Sequence, residues 1–192
     1  MSEHIQNVLV FGASGLLGKC LIDFYKKNKK IHVAINKTKI IKKNLKYFKL
    51  NNYGELDKYI KDNKISLIIN FAGLTNIELC EKNIIHSKKS NYILPINLAK
   101  IAKTLDIKYV FISTDNFRFK SKKLSEKSPT KSLNIYSLHK KMSEKKIMKI
   151  NSKSLIIRTN FYCVGSKKRQ SFSDRIIRQL KLNREIELFK DV

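Results

Sequence analysis

An α/β fold built on a doubly wound parallel sheet is predicted by two features of this chain. Short apolar runs rich in Val and Ile alternate with amphipathic stretches of helical length, and the first apolar run breaks into evenly spaced glycines. Parallel strands are buried on both faces, so they read as near-continuous apolar runs, and each needs a crossover to return the chain to the same edge. At 192 residues the chain has the length of one domain, or of one domain with a small appendage.

The first run, Val8–Phe11, predicts a strand, and the stretch Leu16–Lys27 after its glycines predicts a helix. A second strand is expected at His32–Asn36 and a weaker one at Tyr47–Leu50. A helix over Glu55–Lys61 then leads into a strand at Leu67–Asn70. The helix Tyr92–Leu105 precedes the strand Tyr109–Ser113. The polar segment Arg118–Ser132, which carries Pro129, reads as a long loop of the kind that often holds function. Beyond it the pattern gives a helix at Tyr136–Ile150, a strand at Ser154–Arg158 and a helix at Phe172–Leu182. The chain then turns through Lys181–Arg184 and starts an apparent strand at Glu185–Phe189.

Composition narrows the function classes. No apolar run approaches the roughly 18 residues of a membrane span, and Met1–Asn7 lacks the basic and apolar regions of a signal peptide, so no membrane association and a cytoplasmic location are expected. Cys20, Cys80 and Cys163 are odd in number and lack metal-ligand spacing, which favours reduced thiols over a disulfide or a metal site. The net charge of +26 would ordinarily point to nucleic acid or an anionic membrane. However, only six of the 41 basic residues are Arg, and the lysines are scattered along the chain. A solvated lysine excess is the favoured reading, with no specific nucleic-acid partner, and a basic nucleic-acid-binding domain is the weaker alternative.

Gly12, Gly15 and Gly18 form G-x-x-G-x-x-G between the first strand and the first helix. Such a turn lets the backbone approach a pyrophosphate while the helix amino terminus offers N–H groups and a positive dipole end, although three glycines can also be simple turn punctuation. Nucleotide binding by a Rossmann-type fold is the expectation, with Ser14, Leu16 and Leu17 inside the same motif. The second strand ends without a carboxylate, in Asn36 followed by Lys37, Thr38 and Lys39. Two ammonium groups there would attract a ribose phosphate, so NADP is expected as cofactor, with NAD as the alternative. Ala72 and Gly73, after the strand Leu67–Asn70, would put small residues beside the adenosine half.

Ser113-Thr114-Asp115 ends a strand, where open α/β sheets bind ligands, and Tyr136 and Lys140 lie one turn apart on one face of the following helix. A tyrosine has a pKa of about 10, so proton transfer near neutrality calls for lowering it by roughly 3 units, to which a neighbouring ammonium would contribute. Alone, Tyr-x-x-x-Lys would read as a helix-surface pair; the glycine motif and the Ser-Thr-Asp strand end reverse that reading.

With those residues in place, the chain resembles the extended short-chain dehydrogenase/reductases, and within them the dTDP-4-dehydrorhamnose reductase-like sugar-nucleotide proteins. The resemblance runs through Phe11–Gly18, Ile69–Asn76 with Cys80-Glu81, Ile112–Asp115, Leu133–Lys140 with Glu144, and Ile157–Tyr162. It implies catalytic roles for Thr114, Tyr136 and Lys140, and cofactor contacts at Gly12, Gly15, Gly18, Ala72 and Gly73. The implied reaction is NAD(P)H-dependent reduction of a nucleotide-linked 4-keto-6-deoxy sugar. Asn116 and Ser137 depart from the family pattern, which often has Tyr and usually Gly there. By the same resemblance, residues 1–170 would form the NAD(P)-binding domain, and 171–192 only the start of a substrate-binding region that is largely missing. A homo-oligomer or a partner subunit is left open, and a non-catalytic regulatory or assembly subunit of the same fold is the alternative function.

Overall fold

The computed structural model describes residues 7–25, 30–35, 45–119, 125–126, 128–160 and 171–186. Six parallel strands form the main sheet: β1 (Asn7–Phe11), β2 (Ile31–Ile35), β3 (Lys46–Lys49), β4 (Ile65–Asn70), β5 (Lys108–Ile112) and β8 (Leu155–Ile157). Their order is β3-β2-β1-β4-β5-β8. The direction of strand addition reverses at β1, giving the crevice at the carboxyl edge where a Rossmann-type sheet holds its ligand. Two further strands, β6 (Phe117–Phe119) and β7 (Thr130–Ser132), pair antiparallel within the segment expected to be a loop.

The period-two alternation of β1 divides the core. Leu9 and Phe11 enter a cluster with Leu56 and Ile60 of α2 (Tyr53–Asp62) and with Leu98, Ala99 and Ala102 of α5 (Leu94–Thr104). Val8 and Val10 belong to a second cluster, with Ile22 of α1 (Leu16–Phe24) and Val33 of β2. Helices therefore cover both faces of the sheet, which is why its central strands read as apolar runs.

The helices differ most from expectation between β4 and β5. Two short helices, α3 (Ile77–Lys82) and α4 (Ile84–Lys88), precede a π turn at Lys89–Ile93 that runs directly into α5. Asn76 and Asn83 start the two short helices by accepting backbone N–H bonds from Leu79 and His86. Pro95 marks the usual first turn of a helix, yet here it follows the π turn within a longer helical run. A proline leaves the carbonyl four residues earlier without its helical donor. That carbonyl belongs to Asn91, and it accepts a bond from Ser143 Oγ at 2.6 Å.

The long helix α6 (Ile135–Ile150) is started by Asn134, whose side chain accepts from Ser137 N. Ser137 Oγ in turn accepts from the backbone N–H groups of Leu133 and Asn134. The serine that departs from the family pattern thus completes a capping box beside Tyr136. Asn116, the other departure, accepts a bond from Asn134 Nδ2 at 3.2 Å and ties the end of β5 to the same cap.

The chain divides into two compact units, residues 1–159 and 160–192. In the second, α7 (Phe172–Lys181) begins with a capping box between Ser171 and Asp174. Residues 185 and 186 have no regular structure, and the rest of the strand expected at Glu185–Phe189 lies outside the described residues. No helix among the described residues is long and apolar enough to cross a membrane.

Candidate cofactor cleft and active site

The turn between β1 and α1 leaves no room for side chains at two of its glycines. Gly12 has φ +76°, and a Cβ there would stand 2.5 Å from Ala72 N, in the backbone that follows β4. A Cβ on Gly18 would stand 2.5 Å from Gly12 O, so α1 packs against the turn only because that position is bare. Replacing Gly12 by Ala is expected to cost roughly 1–3 kcal/mol of stability, because left-handed strain and a backbone clash act together. A urea titration checks that figure.

Gly15 begins α1 with no side-chain cap and no acidic residue in the first turn. Side chains of Asn52, Asn76, Asn83, Asn134 and Ser171 cap α2, α3, α4, α6 and α7. The positive end of α1 is thus left for an external anion. It opens towards a cleft of about 260 Å³ lined by Gly12, Ala13 and Ser14, by Ala34 and Ile35 of β2, and by Ala72 and Gly73 after β4. His86 and Ser90, which no sequence motif singled out, also line it. Leu16 and Leu17 are half-buried in the first turn of α1 and are not among the lining residues. Asn36, Lys37 and Lys39 lie outside the described residues.

Thr114 follows β5 and is buried. Its side chain lies close enough to the phenol of Tyr136 to act on it, and Thr114 Oγ1 accepts from Asn116 N at 3.1 Å. One turn along α6, the buried Lys140 donates from Nζ to Ile112 O at 2.6 Å and lies 4.4 Å from the centre of the Phe111 ring. A Cβ built on Gly73 would be 3.9 Å from the same Nζ. The structure therefore brings Thr114, Tyr136 and Lys140 together and sets Lys140 against the rim of the cleft.

The electrostatics differ from the sequence expectation. Burial raises the Tyr136 pKa; the Thr114 side chain draws it back, while Cys80 and Asp115 add to the rise. The Lys140 ammonium points to Ile112 O and the Phe111 ring. Burial lowers the lysine's own pKa from 10.5 to about 7, against an opposing pull from Glu144.

Behind these residues stands a polar layer. Ser113 Oγ donates to Glu144 Oε1 at 2.5 Å, and Arg158 donates to both oxygens of the same carboxylate, from Nε at 2.9 and 3.1 Å and from Nη2 at 2.6 Å. Asn91, in the π turn, bonds both the N–H and the carbonyl of Leu74 and so fixes the loop after Gly73. Glu81 accepts from Ile135 N at 2.7 Å, at the start of α6. Cys80 is buried and Cys20 exposed, both as free thiols, whereas Cys163 lies outside the described residues. No group of His, Cys, Asp and Glu suited to a metal ion occurs among the described residues.

Comparison with solved structures places this geometry. The chain is 26% identical to a dTDP-4-dehydrorhamnose reductase from Clostridium acetobutylicum, with TM-score 0.72 over 92% of this chain and 60% of that one. A hypothetical dTDP-4-dehydrorhamnose reductase from Sulfolobus tokodaii is 27% identical, with TM-score 0.67 over 79% of this chain and 55% of that one. The fold also matches a dTDP-4-dehydrorhamnose reductase from Bacillus anthracis in complex with NADP, at 23% identity and TM-score 0.73, over 96% of this chain and 63% of that one. The chain thus spans less than two thirds of the length of these proteins. No curated protein matches it. The model of the RmlD substrate binding domain family matches residues 6–192. With nearly the whole chain matched, this protein belongs to that family, a dTDP-4-dehydrorhamnose reductase-like group of short-chain dehydrogenase/reductases.

Proposed function

We propose that the chain binds NADP(H), with NAD(H) as the weaker ligand, and reduces the C4 ketone of a nucleotide-linked 4-keto-6-deoxy sugar. The observation that carries this reading is the position of Lys140 Nζ, beside both Gly73 at the cleft rim and the carbonyl end of β5 that leads to Thr114. A nucleotide held in the cleft would meet the acid residues at one sheet edge.

The residues present fit a dinucleotide. The bare turn at Gly12 and Gly18 and the uncapped start of α1 would receive the diphosphate, Ala72 and Gly73 would flank the adenosine half, and Lys140 would hold the nicotinamide ribose. When bound, the cofactor supplies the hydride. Tyr136 donates its phenolic proton to the alkoxide oxygen that forms at C4, and Thr114 hydrogen-bonds that oxygen. A raised Tyr136 pKa suits this direction of reaction, since the phenol is protonated at neutral pH. We assign the substrate side to residues 171–192 and the coenzyme side to residues 1–170.

Lys37 and Lys39, after the second strand, are assigned to the 2′-phosphate of NADP. NADPH is expected to bind about tenfold more tightly than NADH at moderate salt, with the preference lost in Lys37→Glu/Lys39→Glu. Equal affinities in the unmodified chain, measured by calorimetry, would count against the NADP assignment. Steady-state NADPH oxidation with a panel of nucleotide-linked 4-keto-6-deoxy sugars tests the reductase reading. NADPH binding without turnover on any of them would move the protein to the non-catalytic subunit class.

A further inference from the structure

Glu144 is a buried carboxylate one turn beyond Lys140 on α6, and its contacts join three elements. It accepts from Ser113 Oγ, the residue between the Ile112 carbonyl that holds Lys140 and the Thr114 side chain that acts on the Tyr136 phenol. From beyond β8, Arg158 grips the same carboxylate with Nε and Nη2, and Ser113 N donates to Ile157 O. The fork of Arg158 and the Ser113 hydroxyl together satisfy the buried carboxylate with charge-assisted hydrogen bonds.

We propose that Glu144 is a positioning residue for the active site: its carboxylate supplies the counter-charge to the buried Lys140 ammonium, and its bond to Ser113 fixes the strand end that carries Thr114. Arg158 holds Glu144 in the rotamer that serves both. The inference rests on the reductase reading for its purpose, although the network itself is independent of any bound molecule. Burial and Glu144 act on Lys140 in opposite directions, and burial prevails, with the pKa lowered to about 7. The other ionisable groups around the site are Tyr136 on α6, Asp115 after β5, Cys80 and Glu81 on α3, and Arg158 after β8. Cys80 and Asp115 act on the Tyr136 phenol, whereas Glu144 is the charge that acts on Lys140.

The test follows the Lys140 amine directly, by NMR titration of the full chain labelled at lysine Cε, with Lys140→Met identifying the resonance. Lysines in water titrate above pH 10, so one that titrates near neutrality stands apart. In Glu144→Gln, which keeps the shape of the side chain and removes its charge, the Lys140 midpoint should fall by about one pH unit. Glu144→Asp should bring it back towards the unmodified value. An unchanged midpoint in the folded Gln variant overturns the proposal. If the unpaired Arg158 unfolds that variant, Glu144→Gln/Arg158→Gln replaces it, with a midpoint lowered by less than in the single variant, because a cation leaves with the carboxylate, and a raised midpoint decisive against the proposal.

A second readout links the charge to binding. NADPH affinity of Glu144→Gln should fall about fivefold at pH 7 and recover at pH 5.5, where Lys140 is charged in both proteins. An equal loss at both pH values marks a structural defect and overturns the positioning role. Failure of the unmodified chain to bind NADPH at all removes the reductase reading but leaves the midpoint comparison intact, so the two failures are distinguishable.

Discussion

Tyr136→Phe is expected to lower ketone reduction by about 10²–10⁴-fold while leaving NADPH affinity within about twofold. The substitution removes one hydroxyl from a ring that α6 and the β5 end hold in place, so the fold keeps its packing and the ketone loses its proton source. Thr114 cannot replace the phenol, because its alcohol proton is far less acidic. The split between binding and turnover is the signature of a group used in the transition state. Measuring the NADPH dissociation constant and the single-turnover rate on the same preparation separates the two. A variant that loses cofactor binding and turnover equally would place Tyr136 in the binding site and leave the acid unidentified.

Lys140→Met should have a comparably large effect on stability, in the favourable direction. The lysine releases its proton at about pH 7 in the folded chain and near 10.5 when unfolded. Between those values the unfolded chain holds more protons, so stability rises with pH across that window. Below pH 7 the fold carries the full cost of a buried ammonium, on the order of 4 kcal/mol. Met has nearly the same volume and no charge, but it forfeits the bond to Ile112 O, worth about 1 kcal/mol. The variant should therefore be about 2–3 kcal/mol more stable at pH 6, with the advantage shrinking towards pH 10. His32 and His139 are also pushed to lower pKa by burial, but both proteins share them and the difference isolates Lys140. Urea unfolding at pH 6 and pH 9 reads the effect directly. Such a gain would mark Lys140 as a residue kept for chemistry at the expense of stability.

The parallel sheet was legible because Val8–Phe11 and Tyr109–Ser113 are apolar on both faces, as only a strand covered by two helix layers can be. The cleft was legible too, since Gly12 must turn into the left-handed region beside Ala72 and no other residue type does so without strain. Less legible were α3 and α4, because their start signals are isolated asparagines, Asn76 and Asn83, in a stretch without helical apolar periodicity. The π turn escaped for a related reason: Pro95 reads as a first helical turn unless Ser143 is known to satisfy the Asn91 carbonyl, and those residues are far apart in the chain. Lys140 was placed correctly on the helix face beside Tyr136, but sequence spacing says nothing of the direction in which its ammonium points. Glu144 and Arg158 could be quoted as parts of a motif, yet the bonds that bring Ser113 and Arg158 to the same Glu144 carboxylate required the register of β5 against β8.

The most direct test of the central claim is the fate of the hydride. NADPH carrying deuterium at the transferred position, mixed with the chain and a nucleotide-linked 4-keto-6-deoxy sugar, should yield a sugar labelled at C4, with label absent when Tyr136 is Phe. Mass spectrometry of the sugar product reads the outcome. Tight NADPH binding with no deuterium reaching C4 of any sugar offered, or transfer that survives Tyr136→Phe at the unmodified rate, would contradict the account.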